Sequence, residues 1–105
     1  MESIEIESIK AQLSPTLKEL GVDKAFLFGS VSRRTGSRKS DVDLLLVVET
    51  GERFFDRYDR FEAIYAKLKG RSVDMLIYTP SELKRIAHRP FIKRILAEGQ
   101  TIYEH

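Results

Sequence analysis

An α/β sandwich is the fold predicted by the 105-residue sequence, and three observations carry it. Short apolar runs of strand length at 24–28, 41–49 and 73–78 alternate with stretches whose apolar residues recur at three- and four-residue steps. Glycine or proline stands at most changeovers, at Gly21, Gly29, Gly70, Pro80, Pro90 and Gly99. The resulting order, α-β-(α)-β-α-β-α-α-(β), gives every element an apolar face to cover, and helices packed on one sheet cover them all.

Ile6, Ile9, Leu13, Leu17 and Leu20 set the period of the first helix, and Gly21 ends it. Ser14-Pro15 is expected to interrupt that helix, Pro15 opening a second short segment with Ser14 as its cap. Lys-Ala-Phe-Leu-Phe at 24–28 reads as a buried strand leading into Gly29. A helical turn is expected over 30–35 and a polar loop over 36–40. The run at 41–49 is the clearest strand, β-branched and leucine-rich, without glycine before its end or any proline. Being apolar on both alternating faces, it belongs at the centre of a sheet covered on both sides. Phe54, Tyr58, Phe61, Tyr65 and Leu68 follow a 4-3-4-3 spacing that predicts one helix closed by Gly70. The third strand is 73–78. Thr79-Pro80-Ser81-Glu82 has the form of a capping box with proline at the first helical position. The helix it opens must stop before Pro90, whose ring pushes Arg89 out of helical geometry. Phe91, Ile92, Ile95 and Leu96 predict a last short helix ending at Gly99, and Thr101-Ile102-Tyr103 an edge strand.

Composition narrows the function classes. Apolar residues make up 42% of the chain, enough for one core at this length without disulfides, so a single domain over 1–105 is expected. There is no cysteine, the start Met1-Glu2-Ser3-Ile4-Glu5 lacks an apolar run, and no stretch approaches the roughly 20 apolar residues of a membrane span. A cytoplasmic protein with no membrane partner is the expectation. With 18 basic and 16 acidic residues the net charge is +2, so direct nucleic-acid binding is not expected to be the primary role.

The chemistry-bearing residues lie around the central strand. Asp41 and Asp43 are two apart, so on a strand their carboxylates project to one face with Cα atoms ~6.6 Å apart. That spacing brackets hard cations such as Mg²⁺, which takes oxygen ligands and completes its shell with water and phosphate. Asp74 alternates with Val73 and Met75 on the next strand, so it faces away from them and towards the first pair. A third acid there completes a metal site or accepts the proton of an attacking hydroxyl. Gly29-Ser30 follows a strand, where glycine admits a phosphate close to the backbone and amide N–H groups and the Ser30 hydroxyl donate to it. Arg33 and Arg34 are near enough in sequence to contact a leaving pyrophosphate with fork-shaped donors. Polyphosphate plus divalent metal is the chemistry of nucleotidyl transfer.

Phe28-Gly29-Ser30, then Ser40-Asp41-Val42-Asp43-Leu44-Leu45, resembles the signature of the DNA polymerase β-like nucleotidyltransferase superfamily. The chain is similar, over nearly its whole length, to the minimal nucleotidyltransferases that pair with HEPN-domain toxins in prokaryotic toxin–antitoxin modules. Its length, Asp74 and the tail pattern Phe91-Ile92, Ile95-Leu96, Gly99, Ile102-Tyr103 extend the likeness. The resemblance implies a small mixed β-sheet packed with helices. It further implies an ATP- and Mg²⁺-dependent antitoxin that transfers AMP to a tyrosine of a HEPN toxin and silences its RNase activity. Under it, Gly29, Ser30 and Arg33 would hold the nucleotide, and Asp41, Asp43 and Asp74 would bind metal and form the catalytic centre. Arg34 stands where members commonly have glycine, with Gly36 displaced by two positions.

Two other readings were weighed against this one. A non-catalytic antitoxin would act by complex formation alone, and a small-molecule transferase would need a second chain to hold its acceptor. His88 and His105 are too isolated to be ligands, and Ser30 has no base candidate for covalent catalysis. Phe55 and Tyr65 are candidates for a partner surface. Lys84, Arg85, Arg89, Lys93 and Arg94 form a basic region that reads first as a solvated face, and otherwise as a contact for an acidic partner or RNA.

Overall fold

A computed structural model of the chain describes residues 4–29 and 41–105. The expected turn at 30–35 and loop at 36–40 lie outside the described residues. Helix α1 spans Ile4–Glu19, with Ile6, Ile9, Leu13 and Leu17 buried along one side. It does not break at Ser14-Pro15 as the sequence suggested, but runs through Pro15. Leu13 and Leu17 flank the proline and are fully buried. At roughly 1.5–3 kcal/mol each, their burial matches or exceeds the ~3 kcal/mol cost of an interior proline. The Ser14 hydroxyl, rather than capping a new helix, donates to the Lys10 carbonyl at 2.6 Å.

Four strands form the sheet: β1 (Val22–Phe28), β2 (Val42–Val48), β3 (Val73–Tyr78) and β4 (Gln100–Glu104). Their order is β3-β2-β1-β4, with β2 and β3 parallel and the other two pairs antiparallel. The sheet is therefore mixed, and β2 is internal as its two apolar faces require. Val42, Leu44, Leu46 and Val48 face the main core with α1. Leu45 and Val47 face a smaller cluster with Ile92 and Ile95. Asp43 shares the face of Leu45 and Val47 by strand alternation.

Between β2 and β3 lie two short helices, α2 (Arg57–Arg60) and α3 (Glu62–Lys67), instead of the single helix expected from Phe54 to Leu68. The interruption is at Phe61 (φ −96°, ψ 14°), where the Ile64 N–H donates to the Phe61 carbonyl and tightens the turn. Two different anchorings meet there. The first turn is tied to β3 by long-range bonds: Arg57 Nη1 donates to Ile77 O at 3.0 Å and the Tyr58 hydroxyl donates to Met75 O at 2.7 Å. The second is fixed by burying Phe61, Ile64 and Leu68 in the main core. Since β3 is an edge strand, α2 also covers backbone acceptors that would otherwise invite another strand. Tyr65 falls off the buried stripe and is exposed, as is Phe55.

Helix α4 (Pro80–Ile86) opens on the expected capping box: Glu82 N–H donates to Thr79 Oγ1 at 3.2 Å and Thr79 N–H donates to Glu82 Oε1 at 2.9 Å. Arg89 is extended (φ −67°, ψ 137°), and α5 (Pro90–Glu98) begins at the proline that forces it. Both helices cover the sheet face that carries Asp43.

Candidate active site

The site lies where the end of β1 meets the starts of β2 and β3. Register places Asp43 opposite Phe28 on one side and opposite Asp74 on the other. In-register residues on adjacent parallel strands share a face ~4.8 Å apart, so Asp43 and Asp74 stand side by side. Asp41 immediately precedes β2 and is exposed, like Asp74, whereas Asp43 is half-buried. Burial pushes the Asp43 carboxyl above its ordinary range, and the charges of Asp74 and then Asp41 push it further the same way. The three acids named from the sequence are thus neighbours, with Asp43 at the middle. Among the described residues, no group of three acidic, histidine or cysteine side chains is drawn together as a ready-made metal cage.

Gly29 presses its backbone against this carboxylate. Its φ is +80°, the left-handed region that favours glycine. A Cβ there would collide with Oδ2 of Asp43 and lie 3.2 Å from its Cγ. Glycine is needed at this position twice over, for backbone conformation and for space. Ser30, Arg33 and Arg34 lie outside the described residues. His88 and His105 are exposed.

A cavity of about 350 Å³ opens beside Asp43, walled by Phe28, Gly29, Phe91, Arg94, Ile95 and Glu98 among others. Phe28 and Phe91 meet edge to face at 5.9 Å, and Phe91 remains 58% exposed. The role of α5 as a wall of the site was missed from the sequence. The sequence predicted Phe91 only as part of a short last helix, and it is the packing of α5 against β1 that makes Phe91 and Arg94 walls of the cavity beside Asp43.

Comparison with known proteins places this geometry. The sequence profile of the nucleotidyltransferase domain matches residues 10–102. A protein of Methanocaldococcus jannaschii named "Putative protein adenylyltransferase" is 33% identical over 73 residues, covering 70% of this chain and 77% of the relative. A solved structure described as a "putative minimal nucleotidyltransferase" superposes with a TM-score of 0.63 at 25% identity, covering 95% of this chain and 98% of the other. A complex described as a tri-AMPylated Shewanella oneidensis HEPN toxin with an MNT antitoxin contains a chain of the same fold. That match has a TM-score of 0.58 and 16% identity, covering all of this chain and 74% of the other. The mixed sheet packed with helices agrees with these likenesses, and the chain belongs to the nucleotidyltransferase domain family with the fold of its minimal members.

Proposed function

We propose that this chain is a Mg²⁺-dependent adenylyltransferase that moves AMP from ATP to a tyrosine hydroxyl of a HEPN-domain toxin, and so neutralises it. The observation that carries the reading is the in-register pair Asp43–Asp74 beside Asp41, with the Gly29 backbone against it. The name of the Methanocaldococcus relative supports a protein acceptor, and the Shewanella complex supports a HEPN toxin that receives AMP.

The donor set fits magnesium. All three side chains offer hard oxygen atoms, and Asp43, raised first by burial and then by the charges of Asp74 and Asp41, is a carboxylate that a cation would relieve. Asp41, Asp43 and Asp74 would hold the ion, which when bound neutralises charge on the attacking and leaving oxygens. Gly29 and Ser30 bind the triphosphate through backbone and hydroxyl donors, and Arg33 meets the departing pyrophosphate. In the transfer, the acceptor oxygen bonds to the α-phosphorus while the bond from that phosphorus to the bridging oxygen breaks. Pyrophosphate leaves, and the hydroxyl proton passes to a carboxylate of the row.

The test is incubation with α-labelled ATP, Mg²⁺ and the HEPN toxin, followed by mass spectrometry of the toxin. Asp41→Asn and Asp43→Asn are expected to lower label transfer at least about 100-fold while keeping the wild-type circular dichroism. If those variants silence the toxin as well as wild type and no AMP is found on it, neutralisation is by complex formation and the catalytic reading fails.

A further inference from the structure

On the other side of α5 from the carboxylate cavity lies a second concavity of about 460 Å³, lined by Phe26, Val47, Pro80, Leu83, Ala87 and Leu96, with Asp23, Lys24 and Lys84 at its margin. It occupies the same sheet face as Asp43, between α4 and α5. Its floor is apolar, and Leu96 is 37% exposed at its edge.

Lys84 lines the trough, together with Asp23 and with Lys24, which pairs with Glu104, whereas Arg85 and Arg89 line a separate concavity with Phe54 and Tyr78. Residues 80–98 carry five lysines and arginines against two glutamates. Both glutamates are engaged, Glu82 by Arg57 and Glu98 by Arg94. Lys84, Arg85, Arg89 and Lys93 have no ion-pair partner among the described residues, and all are exposed. Lys93 precedes Leu96 by three residues and so shares its side of α5. Exposed cations around an apolar trough form the complement of one kind of surface, an amphipathic helix with an apolar stripe and acidic flanks.

We infer that the α4–α5 trough is a docking site for an acidic amphipathic helix of a partner protein, its apolar residues against Leu83, Ala87 and Leu96 and its carboxylates against Lys84 and Lys93. RNA would satisfy the cations but would leave the apolar floor uncovered. Only α5 separates the trough from Asp43, so a partner held there is presented to the cavity side of the sheet. Docking itself uses none of the carboxylates, which separates this inference from the transfer reaction.

The probe is a fluorescein-labelled 16-residue peptide with leucine at helical spacing and glutamate elsewhere, titrated with the full chain and followed by polarisation. Its counterpart with lysine in place of glutamate, and a 16-nucleotide single-stranded RNA, serve as competitors. Saturable binding of the acidic peptide is expected, weakened at least tenfold by Lys84→Glu/Lys93→Glu and by Leu96→Asp, and unchanged by Asp43→Asn. Amide shifts in NMR spectra should centre on Leu83, Ala87 and Leu96. Equal binding of the basic peptide, indifference to these substitutions, displacement by RNA with shifts at the same amides, or no binding would each overturn the proposal. Loss of transfer by Asp43→Asn with peptide binding retained would leave both readings standing, whereas retained transfer would remove only the catalytic one.

Discussion

Replacing Glu82 by Gln tests the joint that fastens α2 to α4. Arg57 is buried to 4% exposure and forks onto Glu82, with Nη1–Oε1 at 2.6 Å and Nη2–Oε2 at 2.9 Å. Its remaining donors reach Ile77 O and Glu52 O, and Glu82 also accepts the Thr79 N–H of the capping box. The Arg57 bonds, followed by the Thr79 N–H, hold the Glu82 carboxyl down at about 2 against an ordinary 4.5. A displacement of that size corresponds to ~3 kcal/mol between the two protonation states, and the 29% exposure of Glu82 brings the stabilisation to about 2–3 kcal/mol. Gln keeps the shape but removes the charge, leaving a buried guanidinium without its counterion. At pH 7 the variant should unfold about 10–20 °C below wild type.

The pH dependence distinguishes this cause from ordinary packing loss. A carboxyl lowered by folding contributes in full above its unfolded value and loses that contribution as pH falls through its folded value. The stability gap between wild type and Glu82→Gln should therefore be constant above about pH 5 and close between 4.5 and 2. Urea titrations at pH 7, 5, 4, 3 and 2.5 measure it. A gap that stays constant across that window, or one under about 0.5 kcal/mol at neutral pH, would show that the pair is held no more firmly than a surface ion pair.

Gly29→Ala should strain the backbone by about 1–2 kcal/mol and displace the Asp43 carboxylate, lowering transfer far more than thermal stability. A variant with both transfer and melting temperature intact would refute the account of that glycine. Asp43→Asn should do the opposite to stability, raising the melting temperature of the metal-free protein. Relief of a like-charged cross-strand neighbour amounts to roughly 0.2–1 kcal/mol. A carboxyl raised by folding opposes the fold where it is ionised, so this gain should shrink as pH falls through the raised value towards 3.8. Differential scanning fluorimetry with EDTA from pH 7 to 4 checks both sign and slope.

Residue by residue, what the sequence exposed was local. The capping box at Thr79 and Glu82, the extended Arg89 before Pro90 and the doubly apolar β2 each follow from neighbours within a few positions, and each is present. The acids were legible for a related reason. Asp43 lies on β2 with Asp41 immediately before it, and Asp74 needed only parallel pairing of two adjacent elements to stand opposite Asp43. What was not legible depends on distant partners. Pro15 is tolerated because Leu13 and Leu17 are buried against a sheet that no local window contains. Arg57 carries no local signal in the sequence, yet it is buried through bonds to residues 20 and 25 positions away. Phe91 and Arg94 became walls of the site only through the placement of α5 on β1.

The position of the carboxylate row follows from the topology that also stabilises the protein. Because β2 is internal, the chain can place β1 and β3 on either side of Asp43, and these neighbours supply Phe28 and Asp74 in register. An edge strand would offer a neighbour on one side only, and its acid would remain solvated with an ordinary pKa. Burial on the central strand brings the repulsion from Asp74 and Asp41 into a less polar setting, where it is stronger, and under the proposed function phosphate and cation would be held more tightly there. Under the proposed function, the crowding that weakens the fold at Asp43 would supply differential affinity for a cation. The firm Arg57–Glu82 joint and the main apolar cluster on the opposite face of the sheet lie away from the Asp43 carboxylate, where they offset that strain.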